Sequence, residues 1–329
     1  LVVGGAGYVG NVLVRRLIQE GFQLRVLDDL LFDHGAGIAG ILEDPGLTFV
    51  KGDLRDQAAL ETALDGATDV VLLAAIVGDP LCKAYPELAR SINFEGAKQV
   101  FGALQGRGID RFVFTSTCSN YGLRESDEPA TEEADLAPLS LYAETKVEFE
   151  RFILDEISGV DFNPVLLRIA TAYGISPRMR FDLTISEFTR TLAVGAELEV
   201  YDAETWRPYC HVADISKAII TALEAPTDVV RGEVFNVGHS DENYTKQMLA
   251  ELAQGATGSD RVAFVEGGFD ARNYRVSFDK IATKLGFAPD FRVPIAVDNL
   301  VGAIRDGAFD DFDLRPDFFR NRVIRAGVE

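Results

Sequence analysis

The sequence is poor in the residues that staple folds together or hold metals. It has three cysteines (Cys82, Cys118, Cys210) and three histidines among 329 residues. An odd cysteine count with no C-x-x-C spacing supports neither a disulfide framework nor a zinc site, and a reducing cytoplasm is the expected setting. Basic residues are scarce as well: 32 Lys and Arg against 52 Asp and Glu leave a net charge of −20. No overall positive field draws in a polyanion, so neither nucleic acid nor an anionic membrane is an expected partner. A run of 18 apolar residues, the length of a membrane span, is also missing.

What the chain does have is core. At 47% hydrophobic over 329 residues it is long for one compact unit, which implies two domains or one domain with an annex. The first residues read as the end of a buried strand, so residues upstream of Leu1 are expected. Leu1-Val2-Val3 closes that strand, Gly4-Gly5-Ala6-Gly7-Tyr8-Val9-Gly10 turns tightly, and a helix runs from Val9 to Ile18. Glycine there lets the backbone approach a pyrophosphate, and the helix start offers free N–H groups to it. Strand before, helix after and an acid about 20 residues on make this a dinucleotide site. Two glycine frames fit, Gly5-x-Gly7-x-x-Gly10 and Gly4-x-x-Gly7-x-x-Gly10.

Strand and helix signals then alternate, which predicts an α/β fold with a Rossmann-type, doubly wound parallel sheet. Gln23–Leu27 is a second strand ending at Asp28-Asp29. An acid at that tip accepts both ribose hydroxyls of adenosine and repels a 2′-phosphate, so Asp28 favours NAD over NADP; Asp29 fits the same site or a solvated loop. Leu47–Val50 is a third strand, followed by Asp53-Leu54. Asp53 suits either the adenine amino group or a cap for the helix from Gln57. The fourth strand, Asp69–Leu73, delivers the small residues Ala74-Ala75, against which a cofactor can lie together with Leu73. Ala89–Leu104 reads as one helix carrying Asn93, which if buried needs partners and could pin the loops above the sheet.

Arg111–Phe114 is the fifth strand. The hydroxyl run Thr115-Ser116-Thr117-Cys118-Ser119 follows it, where open α/β sheets bind ligands; a plain polar turn is the other reading. A helix from near Leu139 then carries Tyr142 and Lys146 at i and i+4, on one face. A neighbouring ammonium, joined by a positive nicotinamide ring, favours phenolate and lowers the tyrosine pKa. That makes a base able to take a sugar hydroxyl proton while hydride leaves the carbon.

Taken together, Gly4–Gly10, Gly52-Asp53-Leu54, Leu73-Ala74-Ala75, Asn93, Thr117, Tyr142 with Lys146, and Arg207–Asp214 resemble the extended short-chain dehydrogenase/reductase family of nucleotide-sugar epimerases and dehydratases, including UDP-glucose 4-epimerase. The resemblance covers nearly the whole chain and makes Gly4-x-x-Gly7-x-x-Gly10 the relevant frame. It implies that Tyr142 is the general acid/base, that Lys146 binds the nicotinamide ribose, and that Thr117 hydrogen-bonds the reacting oxygen. It also implies a retained NAD that takes hydride from the sugar's C4. Family dehydratases carry an Asp-Glu pair straight after the hydroxyl residue; Cys118-Ser119 stands there instead, which argues against a 4,6-dehydratase. Gly78–Lys83 and Gly174–Arg180 look like a subgroup that includes a nucleotide-linked heptose C4-dehydrogenase, so net oxidation or reduction at C4 is the second reading. A catalytically silent NAD-binding regulator is the third.

After the sixth strand, Leu166–Arg168, the alternation breaks. Residues 1–174 with 211–238 are expected to form the NAD-binding domain, and 175–210 with 239–329 a smaller C-terminal α/β substrate domain. A nucleotide diphosphate sugar on so acidic a protein needs local arginines. Arg178, Arg180, Arg207 and Arg272 are the candidates, with Thr171 beside them; ordinary salt bridges are the alternative for each arginine. His211 reads as structural. Helices 89–104 and 141–157 present Leu141, Phe149, Phe152 and Ile153, which fit either a homodimer seam or the core.

Overall fold

The computed structural model of the chain describes residues 1–32, 35–124, 126, 128–268, 272–321 and 324. Twelve strands are found among them: β1 (Val2–Val3), β2 (Leu24–Asp28), β3 (Leu47–Lys51), β4 (Asp69–Leu72), β5 (Arg111–Thr117), β6 (Asn163–Ile169), β7 (Thr171–Tyr173), β8 (Leu198–Tyr201), β9 (Trp206–His211), β10 (Val234–Val237), β11 (Asn243–Thr245) and β12 (Val262–Val265). Seven of them form one sheet in the order β3-β2-β1-β4-β5-β6-β10, and every pairing in it is parallel. Parallel strands need crossovers that cover both faces, so they read as near-continuous apolar runs. All seven residues of β5 are buried accordingly. The doubly wound sheet expected from the sequence is present.

Helices Tyr8–Gln19 and Val212–Glu224 bury Leu13, Val14, Leu17, Ile215 and Ile219 on one face of the sheet. Helices Gln57–Leu64, Ala97–Ala103 and Leu141–Glu156 cover the other. There the Phe101 ring meets Phe112, Phe149, Phe152 and Phe162 edge-on, at centroid separations of 4.9–6.3 Å. Burying each such ring contributes about 1.5–3 kcal/mol. Phe149 and Ile153 are fully buried in this cluster, so these two candidates for a dimer seam belong to the core of a single chain.

The expected continuous helix over 89–104 is interrupted. Pro86–Arg90 and Ala97–Ala103 are α-helical, while Ser91–Gly96 widens into a π turn. Such bulges are frequent at functional sites, and the residue at the centre of this turn is Asn93.

Beyond β6 the chain builds a smaller α/β layer. β7, β9 and β11 form a three-stranded sheet, and β8 pairs with β12. A separate apolar core, with Tyr173, Ile185, Leu192, Tyr209, Leu249 and Val297, lies among them and the helices Thr184–Ala193, Lys246–Thr257 and Val293–Arg305. The C-terminal segment folds back so that Phe309, Phe312 and Phe319 close around Phe181, with the Phe181 amide donating to the Phe319 carbonyl at 2.8 Å.

Candidate functional site

In the seven-stranded sheet the strand order reverses at β1, which lies between β2 and β4. Loops leave in opposite directions there and open a crevice at the carboxyl ends of the strands. A cavity of about 900 Å³ occupies it. Gly4, Gly7, Tyr8, Val9, Gly10, Asp28, Asp29, Asp53, Leu54, Leu73, Ala74, Ala75, Thr117, Tyr142, Lys146, Thr171, Arg178, Arg180, Arg207 and Arg272 all line it. Of the candidate residues only Asn93 does not.

The glycine loop shows which glycines serve packing and which leave room. Gly4 has φ +90° and a Cβ there would lie 2.6 Å from the Ala74 amide nitrogen, so the fold itself requires glycine. At Gly7 a Cβ would meet nothing nearer than the Gly4 carbonyl at 3.6 Å. The space beyond Gly7 is therefore open cavity, as close approach of a diphosphate requires. Gly7 is also the N-cap of the helix Tyr8–Gln19, with no side-chain cap and no acid in the first turn; the N–H groups there remain available to an anion.

Asp28 ends β2 with one carboxylate oxygen accepting the Ala6 amide and the other the Leu30 amide, both at 2.9 Å. Asp29, beside it, is held above the usual carboxylate range by burial and by the charges of Asp53 and Asp28. Asp53 does not cap the next helix: Asp56 does, accepting from Ala58 and Ala59. Instead Asp53 grips Arg55 at 2.6 Å. Burial works to raise the Asp53 pKa, but the hydrogen bonds from Arg55 outweigh it and hold the carboxyl low. Asn93 accepts from the Ile76 amide at 2.7 Å and donates to the Ile76 carbonyl at 2.9 Å. It pins the loop after β4 from behind the cavity wall.

At the other end, Ser140 caps the helix Leu141–Glu156, which presents Tyr142 and Lys146. The Lys146 ammonium donates to the Thr115 carbonyl at 2.7 Å and lies 5.9 Å from the centre of the Tyr142 ring. Thr117, the last residue of β5, accepts the Ser119 amide at 3.1 Å. The expected lowering of the Tyr142 pKa includes the charge of a bound nicotinamide ring, and the protein alone shows the other contributions. Burial, opposed by the weaker influences of Arg180 and the Thr117 hydroxyl, pushes the Tyr142 phenol up. Burial likewise brings Lys146 down to about 7, against the pull of Glu150. Desolvation disfavours both charged forms, so Lys146 by itself does not create a phenolate.

The four arginines differ. Arg178 is 2% exposed and its Nε and Nη2 have no acceptor among the described residues. Its guanidinium lies 5.5 Å from the Phe32 ring centre, and burial, then the charge of Arg180, brings it down to about 9. It thus stands near Asp28, whose charge acts on it. Arg180 makes a two-pronged pair with Asp182 at 2.7 and 3.0 Å. Arg207 donates to the Trp206 carbonyl at 2.7 Å and to that of Arg272, beneath the Tyr274 ring. Arg272 pairs with Asp79 at 3.4 Å. His211 is structural: its Nδ1 accepts the Ala213 amide and its ring stacks on Phe291.

Among the wall residues that are not site candidates, Asp79 lies in the Gly78–Lys83 stretch and Ser119 in the hydroxyl run, while Asp182, Tyr274 and Asn321 carry no sequence signal. Asp79, Ser119, Asp182, Tyr274 and Asn321 all face the cavity, and the Tyr274 phenol donates to Ser119 Oγ at 3.3 Å. Asn321 arrives from the C-terminal segment, its amide held by Asp182. Nothing in local periodicity announces such a long return.

The chain is similar to known proteins in sequence and in fold. The chain is 31% identical over 315 residues to a dTDP-glucose 4,6-dehydratase of Actinoplanes sp., covering 90% of this chain and 95% of that one. It is 28% identical over 311 residues to a UDP-glucose 4-epimerase of Lactobacillus helveticus, at 88% and 91% coverage. The crystal structure of the UDP-glucose 4-epimerase of Thermus thermophilus in complex with NAD superposes with a TM-score of 0.79, at 25% identity, over 92% of this chain and 98% of that one. A profile of the NAD dependent epimerase/dehydratase family matches residues 1–238, and the chain belongs to that family.

Proposed function

We propose that the protein is an NAD-dependent nucleotide-sugar epimerase that works through oxidation at C4 to a 4-keto sugar, with Tyr142 as the acid/base. The observation that carries this reading is that Tyr142, Lys146 and Thr117 share one cavity with the glycine loop, while no carboxylate stands at positions 118 and 119. Cys118 is buried, donates to the Arg168 carbonyl at 3.2 Å, and has its thiol pKa pushed well up by burial. Neither it nor the Ser119 hydroxyl can exchange protons at C5 and C6 near neutral pH. Epimerisation at C4 needs no such pair.

NAD fits the residues present. Gly4, Gly7, Tyr8, Val9 and Gly10 hold its diphosphate; Asp28 and Asp29 face the adenosine ribose; Asp53 and Leu54 face adenine. Leu73, Ala74 and Ala75 form a smooth wall for it, kept in place by Asn93. Arg178, near Asp28 and with two buried donors to satisfy, serves the cofactor's phosphates rather than the substrate. When bound, NAD supplies reversible acceptance of hydride at the sugar's C4. Tyr142 removes the proton from the C4 hydroxyl and returns it to the same oxygen. Thr117 orients that oxygen, and Lys146 binds the nicotinamide ribose and helps to set the charge on Tyr142.

In this reading residues 1–174 with 211–238, joined by Arg178, hold NAD, and the rest of 175–210 with 239–329 holds the nucleotide sugar, with 33–34, 125, 127, 269–271, 322–323 and 325–329 outside the described residues. Thr171, Arg180, Arg207 and Arg272 meet the substrate. The segment 89–104 and the helix Leu141–Glu156 form a homodimer seam, for which the 38% exposure of Leu154 provides apolar surface. The test of function is incubation with UDP-, GDP-, dTDP- and CDP-sugars. A C4 epimer without net NADH is expected; stoichiometric NADH with a keto sugar would favour net C4 dehydrogenation, and no product from any sugar would refute both.

A further inference from the structure

Asp79 and Arg272 reach towards each other across the cavity, and both ends are firmly held. Asp79 opens the helix Asp79–Ala84, directly after Gly78 at φ +93°. The preceding loop is fixed by Asn93 on Ile76 and by the Cys82 thiol on the Ile76 carbonyl at 3.4 Å. On the far side the Arg272 carbonyl accepts from Arg207, and the next residue, Asn273, accepts the Trp206 amide at 2.9 Å. Asp79 Oδ2 takes the Arg272 guanidinium at 3.4 Å. Its Oδ1 is buried and has no hydrogen-bond donor among the described residues. Asp79 lines the same cavity as Tyr142.

A buried carboxylate oxygen without a donor is unfavourable until something donates to it. A sugar hydroxyl does so; a sugar carboxylate cannot, and adds a like charge. The Arg272 guanidinium against Asp79 Oδ2 is already engaged, so a second carboxylate would have to compete for it. We propose that Asp79 makes this site selective for nucleotide sugars with a neutral hexose, accepting a hydroxyl hydrogen bond through Oδ1 and turning away uronates by charge. This rests on the reading of the cavity as a nucleotide-sugar site.

Like charges brought together in a closed site, and polar partners left unpaired, are what give specificity its size. The test compares UDP-glucose and UDP-galactose with UDP-glucuronate and UDP-galacturonate, by calorimetric binding and by turnover. Wild type should prefer the neutral sugars by ~10²-fold. Asp79→Asn should lower that ratio at least ~10-fold, with NAD content and melting temperature unchanged. Asp79→Ser should lower it too, since it also removes the charge. Equal binding of neutral and acidic sugars by wild type overturns the proposal, whether or not either variant folds. So does an unchanged ratio in a variant that retains NAD. If no sugar turns over but the binding preference stands, the epimerase reading fails and the role of Asp79 survives; if no nucleotide sugar binds at all, both fail.

Discussion

Arg178→Met separates what this guanidinium does for the protein from what it does for a bound anion. In the protein alone the charge is a burden: it is 2% exposed, lacks acceptors at Nε and Nη2 among the described residues, and is pushed down by burial from 12.5 to about 9. At about 1.36 kcal/mol per unit that displacement is roughly 5 kcal/mol. Two buried unsatisfied donors at ~1–3 kcal/mol each give the same order. At neutral pH the guanidinium therefore opposes folding, offset in part by its packing on Phe32.

A phosphate oxygen satisfies those donors. One charge-assisted hydrogen bond contributes ~1.5–3 kcal/mol, so losing it should weaken NAD binding roughly 10- to 150-fold. The assay is thermal unfolding of cofactor-stripped protein with and without NAD, together with calorimetric titration. Cofactor-free Arg178→Met should melt no lower than the parent, gain less Tm from NAD, and show the raised Kd. A variant that is destabilised without cofactor and binds NAD with the parent's Kd would show Arg178 to be a core strut, and the reasoning would be wrong.

Asp28→Ala should shift the preference for NAD over NADP by ~10-fold, the scale of one removed repulsion near 1.4 kcal/mol; unchanged cofactor selectivity in paired titrations refutes the ribose assignment. Lys146 gives a pH signature. Its folded pKa of about 7 lies below the ordinary 10.5, so the unfolded chain holds a proton that the folded protein has lost. Stability of the cofactor-free protein should therefore rise from pH 7 towards 10.5. Denaturant titrations of Lys146→Met should lack that rise; identical slopes contradict it. Light scattering at micromolar protein should give twice the chain mass, and a monomer removes the seam.

Much of the cofactor half is legible in the sequence because spacing carries it. Strand ends announce the carboxyl edge of the sheet, the glycine loop opens a helix, and Tyr142 and Lys146 share a face at i and i+4. Side chains drawn together from distant segments are less legible. Asp79 meets Arg272, and Asn321 meets Asp182, through loops whose path no periodicity records. Phe149 and Ile153 show an apolar helix face, but the sequence alone does not say that the sheet covers it. Spacing does not show the desolvation of Lys146 and Tyr142 either, because that depends on how completely the surrounding strands and helices close over the pair. Asn93 reads correctly as a pin because a buried amide must find partners, yet nothing in its neighbours signals the π turn.

Tyr142→Phe tests the central claim most directly, because it removes one phenolic oxygen and leaves the ring. The variant should retain NAD and bind nucleotide sugar with nearly unchanged affinity, while turnover on the substrate identified by the sugar panel falls by at least ~10², the scale of lost acid/base catalysis. Undiminished turnover in a Tyr142→Phe protein with full cofactor content would contradict the account.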